Sequence, residues 1–224
     1  MDLKNNWINP ISDWSTDPEE AANTFTHGVG FLLSVLGAGA MAIQVLREGD
    51  LWRIAGCMVF TFSLVAVYAT SALSHCCSAP SLKRFFRTLD QGFIYFLIVG
   101  TFTPFSLAFL RTTPWCLFLM VNWIIAIFGF CSKIFLGHRV DTVSVWIYVV
   151  LGWIPVAAAP ALVGLVPAVG LWWMVVGGLC YTVGTVFLIF DRHVCHFHAL
   201  WHLFVIAGST CHFFVILRFV APAE

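Results

Sequence analysis

The sequence predicts an all-α, polytopic membrane protein: a bundle of seven transmembrane helices with its N-terminus in the cytoplasm. Sixty per cent of the 224 residues are hydrophobic, ten per cent are charged and the mean hydropathy is +0.92, far from the balance of a water-soluble domain. Seven apolar runs are each long enough to cross about 30 Å of hydrocarbon as a helix. Strand-like alternation of apolar and polar residues is absent, which rejects a barrel, the other backbone arrangement able to span a bilayer.

The runs cover Thr24–Leu46, Leu51–Leu73, Gln91–Leu110, Trp115–Leu136, Val143–Val163, Ala168–Phe190 and Ala199–Phe219. Residues 1–23 form a polar, mildly acidic cytoplasmic segment without the basic stretch, short apolar core and cleavage signal of a signal peptide, so the first span itself is expected to direct insertion. The second and third runs are separated by the longest connection, residues 74–90, which holds Pro80 and three basic residues. Trp52 and Trp115 sit near the ends of the second and fourth runs, as interfacial anchors do. The fifth run contains Pro155 and Pro160; proline frees backbone carbonyls and bends a helix, so a kink is expected there. The seventh run opens on His198-Ala-Leu-Trp-His202. Residues 24–220 are thus expected to form one membrane domain.

Orientation follows from the basic residues. Lys4, Lys83, Arg84, Arg87, Lys133, Arg139 and Arg192 fall on the side of the N-terminus, and Arg47, Arg53, Arg111 and Arg218 on the other, so the positive-inside rule places the N-terminus in the cytoplasm. Eleven basic residues balance eleven acidic ones, which argues against a nucleic-acid partner and leaves membrane lipids as the expected surroundings. The eight cysteines are scattered, most of them inside apolar runs, and read as small buried hydrophobes rather than a disulfide framework.

Ionisable groups near membrane depth point to function, because hydrocarbon tolerates them poorly. Ser71 and His75 end the second run, Asp90 opens the third, and His198 and His202 open the seventh; with this threading all five share the cytoplasmic leaflet. Residues four apart lie on one helix face, so His198 and His202 can point at one ion and Ser71 sits one turn below His75. Three imidazoles match the ligand count of a catalytic zinc centre, whose fourth position is left to water, whereas structural zinc sites are closed by four protein ligands. Asp90 would act as a ligand or through the bound water, and Ser71 would hydrogen-bond the water or a developing oxyanion. The competing readings are interhelical hydrogen bonds for the histidines, a macrodipole contact for Asp90 and a back-bond to its own helix for Ser71.

Other polar residues carry less. His212 lies fourteen residues beyond His198, about 21 Å along the axis, too far to share an ion. His27 begins the first helix on the same side and could reach the periphery of the site or simply pack. His193, Cys195 and His196 crowd the preceding loop, and Cys76 and Cys77 would be soft competitors for the ion.

These residues resemble the hemolysin III family, the bacterial branch of the progestin and adipoQ receptor family. The matching pieces are Glu20-x-x-Asn23 with Thr26-His27-Gly28, Ser71-x-x-x-His75, Leu89-Asp90, Thr101-x-Thr103-Pro104, and His198-Ala-Leu-Trp-His202 with Gly208 and His212, in family order across nearly the whole chain. The resemblance implies a multi-pass protein of the bacterial inner membrane with zinc near its cytoplasmic face. It also implies His75, His198 and His202 as the ligands, and Asp90 and Ser71 at the positions that hold the zinc-bound water. The adiponectin receptors, which share the pattern, are regarded as ceramidase-like. One departure is Ser74-His75-Cys76-Cys77, where an aromatic residue commonly precedes the histidine, which bears on the pocket wall and therefore on substrate.

Two functional classes follow: a zinc hydrolase of lipid amides or esters, or a non-enzymatic sensor, regulator or cytolysin with structural zinc. A heme or metal-ion carrier using His212 and the loop histidines stands in reserve, although few polar residues lie deep in the other runs to line a path.

Overall fold

The computed structural model describes residues 18–48, 50–136 and 144–222. Among the described residues, seven helices are long and apolar enough to cross a membrane. Helix α1 spans Pro18–Glu48, α2 Leu51–Cys76, α3 Pro80–Phe109 and α4 Thr113–Leu136. The fifth span joins α5 (Ser144–Trp153), a 3₁₀ turn over Ile154–Ala158 and the short α6 (Ala159–Leu162); α7 (Ala168–Phe190) and α8 (Phe197–Val215, continued by a π turn over Ile216–Val220) complete the set. The protein is a multi-pass integral membrane protein. Its surface is that of a body in lipid: Phe25, Phe128, Phe135 and Trp172 are each more than two-thirds exposed, which water would not tolerate over so many faces.

Two boundaries differ from the sequence expectation, for one reason. Helix α1 begins six residues before Thr24, and α3 begins at Pro80 rather than Gln91, so the long connection over 74–90 shrinks to residues 77–79. Both extensions are polar turns at the membrane surface, which hydropathy overlooks. Proline is well suited to the first turn of a helix, where its missing N–H costs nothing. Asp90 is therefore an interior residue of α3, which removes its macrodipole reading. The expected kink is present as the 3₁₀ turn, in which Pro155 and the following Pro160 bracket the irregularity. Lys4, Arg139 and Val143, on which the orientation and the fifth run partly rested, lie outside the described residues.

The helices follow one another around the bundle, α2 against α1 and α3, α8 against α1 and α7, and α5 between α3 and α7, while α4 packs on α3 from outside. At the end away from the N-terminus of α1, Asp50 caps α2, accepting from the N–H groups of Trp52 and Arg53 at 2.9 Å each. Those bonds, Arg53 first, hold its carboxyl below the usual carboxylate value. Arg53, buried at that end, donates to the carbonyls of Val220 and Pro222 at 2.6 and 2.7 Å and so fastens the end of the last span to α2.

Helices α2 and α3 touch through their backbones. A Cβ at Gly56 would stand 2.8 Å from Pro104 Cα, whereas one at Gly39 would meet nothing within 4 Å. Gly56→Ala is therefore expected to cost about 1–3 kcal/mol through overpacking against an immovable backbone. Gly39→Ala should be neutral or mildly stabilising. Thermal unfolding of the detergent-solubilised variants measures both, and equal midpoints would refute the close approach.

Candidate metal centre

His75 stands in the last turn of α2, and His198 and His202 in the first two turns of α8. Their ligand-capable atoms all lie within 4.8 Å of one another, close enough to hold one metal ion. Ring centroids are 5.2 Å apart for His75 with His198 and with His202, and 4.5 Å for His198 with His202. The chain enters α8 through His196 in the left-handed region (φ 64°), a conformation costly for a residue with a side chain. Its amide donates to Glu19 at the start of α1 (3.3 Å).

Each imidazole is held from behind through Nδ1. His75 Nδ1 donates to Glu20 Oε2 at 2.7 Å, and His198 Nδ1 to Asp191 Oδ2 at 2.7 Å. His202 Nδ1 lies 3.0 Å from Thr26 Oγ1. The Thr26 hydroxyl spends its one proton on the Ala22 and Asn23 carbonyls, at 2.9 and 3.0 Å, so toward His202 its oxygen accepts. All three rings then carry the proton on Nδ1, and Nε2 becomes the atom each can offer to an ion. A carboxylate or hydroxyl behind a ligating histidine fixes its tautomer and raises its basicity. Glu20 also pairs with Lys83 of α3. Burial pushes the Asp191 carboxyl up, but the hydrogen bond and charge of His198 and the charge of Arg192 outweigh it and hold it below its ordinary value.

Ser71, buried one turn before His75, lies near enough to the Asp90 carboxyl to interact with it, as does His198. All five residues singled out in the sequence meet at one end of the bundle, and the structure adds three that no role was assigned: Glu20, Thr26 and Asp191. The available signal was the position of polar residues at the same membrane level, since Asp191 is the one carboxylate between Asp141 and Glu224 and precedes His198 by seven residues.

The remaining candidates separate. His27 is buried, its ring edge-on to His202 and near His75, and neither of its nitrogens has a hydrogen-bond partner among the described residues. His193, Cys195 and His196 are exposed in the α7–α8 turn, and they and Cys76 and Cys77 stand outside the three-histidine group. All eight cysteines are free, in keeping with the reading against disulfides.

The sequence pattern described as haemolysin-III related matches residues 16–213. The chain is 36% identical over 202 residues to a hemolysin-3 homolog of Bacillus subtilis, covering 90% of this chain and 94% of the relative. It is 34% identical over 204 residues to hemolysin-3 of Bacillus cereus, covering 91% and 93%. Human monocyte to macrophage differentiation factor is 27% identical over 214 residues, 90% of this chain and 84% of the relative. With the seven spans and the three-histidine cluster in place, this match over nine-tenths of its length means that the chain belongs to the haemolysin-III related family.

Proposed function

We propose that the protein is a zinc-dependent hydrolase of lipid amides or esters that works within the membrane, in the cytoplasmic leaflet. The observation that carries this reading is the cluster of three imidazoles, each fixed through Nδ1 by an outer acceptor and each left with one ring nitrogen to offer. Three neutral nitrogens suit zinc, and a three-ligand set leaves the position that hydrolysis needs. Bound there, zinc would supply Lewis-acid polarisation of a carbonyl oxygen and acidify a water molecule.

The rest of the chemistry belongs to the chain. Asp90 is placed to take the proton of a water that attacks the carbonyl carbon, and to return it to the departing nitrogen or oxygen as the old bond breaks. Ser71 holds the Asp90 carboxyl in place from the neighbouring helix. Glu20, Thr26 and Asp191 keep the imidazoles aimed. The bundle also holds an apolar cavity of about 290 Å³, whose wall includes Val67 and Ile94, four residues from Ser71 and Asp90 along their helices, and Trp201, which precedes His202. It runs between α3, the fifth span, α7 and α8, and Val156 and Val163 at its wall are 51% and 68% exposed to the lipid side. A hydrocarbon chain can enter there from the bilayer.

A second reading keeps the metal as a fastening between α2 and α8, supported by the tie of Glu20 to both His75 and Lys83. The two part on turnover. Purified without chelator, wild type and Asp90→Asn are expected to contain about one zinc per chain by elemental analysis and His198→Ala little, the stoichiometry of a single three-histidine cluster. Incubated with ceramide and monoacylglycerol vesicles, wild type should release fatty acid and Asp90→Asn should be slower by roughly 10²–10⁴-fold. Zinc present without any fatty acid released would leave the fastening. No zinc at all would refute both.

The outer acceptors give an independent test. Asp191→Ala should weaken zinc affinity by roughly 10–100-fold in competition with a chelator, without changing stoichiometry at saturation. Unchanged affinity would mean that the His198 contact with Asp191 plays no part in holding the ion.

A further inference from the structure

The first turns of α3 carry three basic residues, of which Lys83 is spent on Glu20. Arg84 and Arg87 are exposed, and neither guanidinium has a hydrogen bond or ion pair among the described residues. Arg87 nevertheless lies near enough to His75 and Asp90 for its charge to reach both. The positive-inside rule accounts for basic residues at this end of the bundle, but not for where they stand around the helix. Residues seven apart on an α-helix lie within about 20° of one another. Ile94, Ile98 and Thr101 of α3 line the apolar cavity. Arg87 precedes Ile94 by seven residues, Gln91 precedes Ile98 by seven, and Arg84 precedes Gln91 by seven. The stripe of α3 that lines the cavity therefore continues toward the cytoplasm as Gln91, Arg87 and Arg84. At 1.5 Å per residue, Arg87 stands about 10 Å along the axis from Ile94. Two exposed guanidiniums at headgroup depth and an apolar space deeper in the membrane thus share one helix face.

From this we infer that Arg84 and Arg87 form a subsite for the headgroup phosphate of an anionic glycerophospholipid, whose acyl chain follows the same face of α3 to the cavity. A guanidinium matches phosphate with paired donors, and two of them three residues apart on a helix are neighbours that can share one phosphate. A glycerophospholipid presents its parts in the order of this face: phosphate, ester-linked glycerol, hydrocarbon chain. A ceramide or acylglycerol brings no anion to the arginines, and a free phosphate brings no chain to the cavity. The inference rests on the hydrolase reading only in making the bound lipid a substrate. The acyl ester lies between phosphate and chain, as Asp90 lies between Arg87 and Ile94 along α3.

The test is equilibrium binding to the intact protein in a neutral detergent. Trp153 and Trp201 line the cavity, so lipids with brominated chains are expected to quench their fluorescence, and the saturable part of the quenching reads occupancy. Phosphatidylglycerol with dibrominated chains should bind roughly 10–30-fold tighter than diacylglycerol with the same chains, the return on two arginines. In the double variant Arg84→Gln, Arg87→Gln the two lipids should bind alike; if it does not purify, Arg87→Gln alone should narrow the difference about fivefold. Arg47→Gln with Arg218→Gln removes two exposed charges from the other end of the bundle and should leave the difference whole. Inorganic phosphate should not displace the lipid. No difference in wild type, a difference that outlasts both guanidiniums, an equal loss on removing Arg47 and Arg218, or displacement by inorganic phosphate overturns the assignment. Turnover plays no part in this readout. The preference without any hydrolysis would sink the proposed activity and leave the headgroup subsite standing, and hydrolysis without the preference would do the reverse.

Discussion

Hydrocarbon offers no hydrogen bonds, so a polar side chain carried into the bundle must be answered by another, and the arrangement of this protein follows from how one such group of residues is answered. Glu20 of α1 accepts from His75 of α2 and Lys83 of α3; Thr26 of α1 accepts from His202 of α8; Ser71 of α2 reaches Asp90 of α3. These few contacts join four helices at one end of the bundle. None of the participants could be placed alone at that depth without loss, so the contacts dictate both the register of the helices and the direction in which the imidazoles face. The same bonds that make the fold tolerable in lipid make the three-histidine cluster geometrically definite.

The opposite end is held differently. There Arg53 closes on the carbonyls of Val220 and Pro222, and its guanidinium lies 5.1 Å from the centre of the Phe109 ring. Between the two ends, α2 and α3 meet backbone to backbone at Gly56 and Pro104, and Tyr68 and Tyr181 share the Ser209 hydroxyl at 3.0 and 2.9 Å. Without a hydrophobic drive between helices in lipid, such close approaches and shared hydroxyls are what hold spans together. The cavity lies where they are sparse, beside the 3₁₀ turn of the fifth span. The two prolines that interrupt that span keep it from packing as a regular helix against α7.

Much of this was legible in the chain, and the gaps have physical causes. Hydropathy found all seven spans because each needs about 20 apolar residues, but it located the beginnings of α1 and α3 late, since their first turns lie among headgroups and are polar. Asp90 was singled out as a candidate yet placed at a helix start rather than inside one. The histidine trio was legible because residues four apart must share a helix face, so His198 and His202 constrained each other. Glu20, Thr26 and Asp191 were not assigned roles because their partners lie 55, 176 and 7 residues away along the chain. Two of those pairings exist only after α1 has packed against α2 and α8. His27 and His212 were left to packing, and both are indeed buried, but among the described residues His27 finds a partner on neither nitrogen and His212 none on Nδ1.

The choice between a catalytic and a fastening metal turns on what the cluster omits. Two thiols follow His75 directly, and thiolate is the donor that closes most structural zinc sites. Yet α2 ends at Cys76, and Cys77 turns into extended backbone (φ −78°, ψ 128°), which carries the chain toward α3 and leaves both sulfurs out of the group. Asp90, which interacts with Ser71 and His198, likewise stands outside the three-histidine group. A site selected to lock helices together would gain from a fourth protein donor that the local sequence already supplies. One that leaves those donors aside keeps a set of three nitrogens, the ligand count on which the proposed hydrolytic role rests.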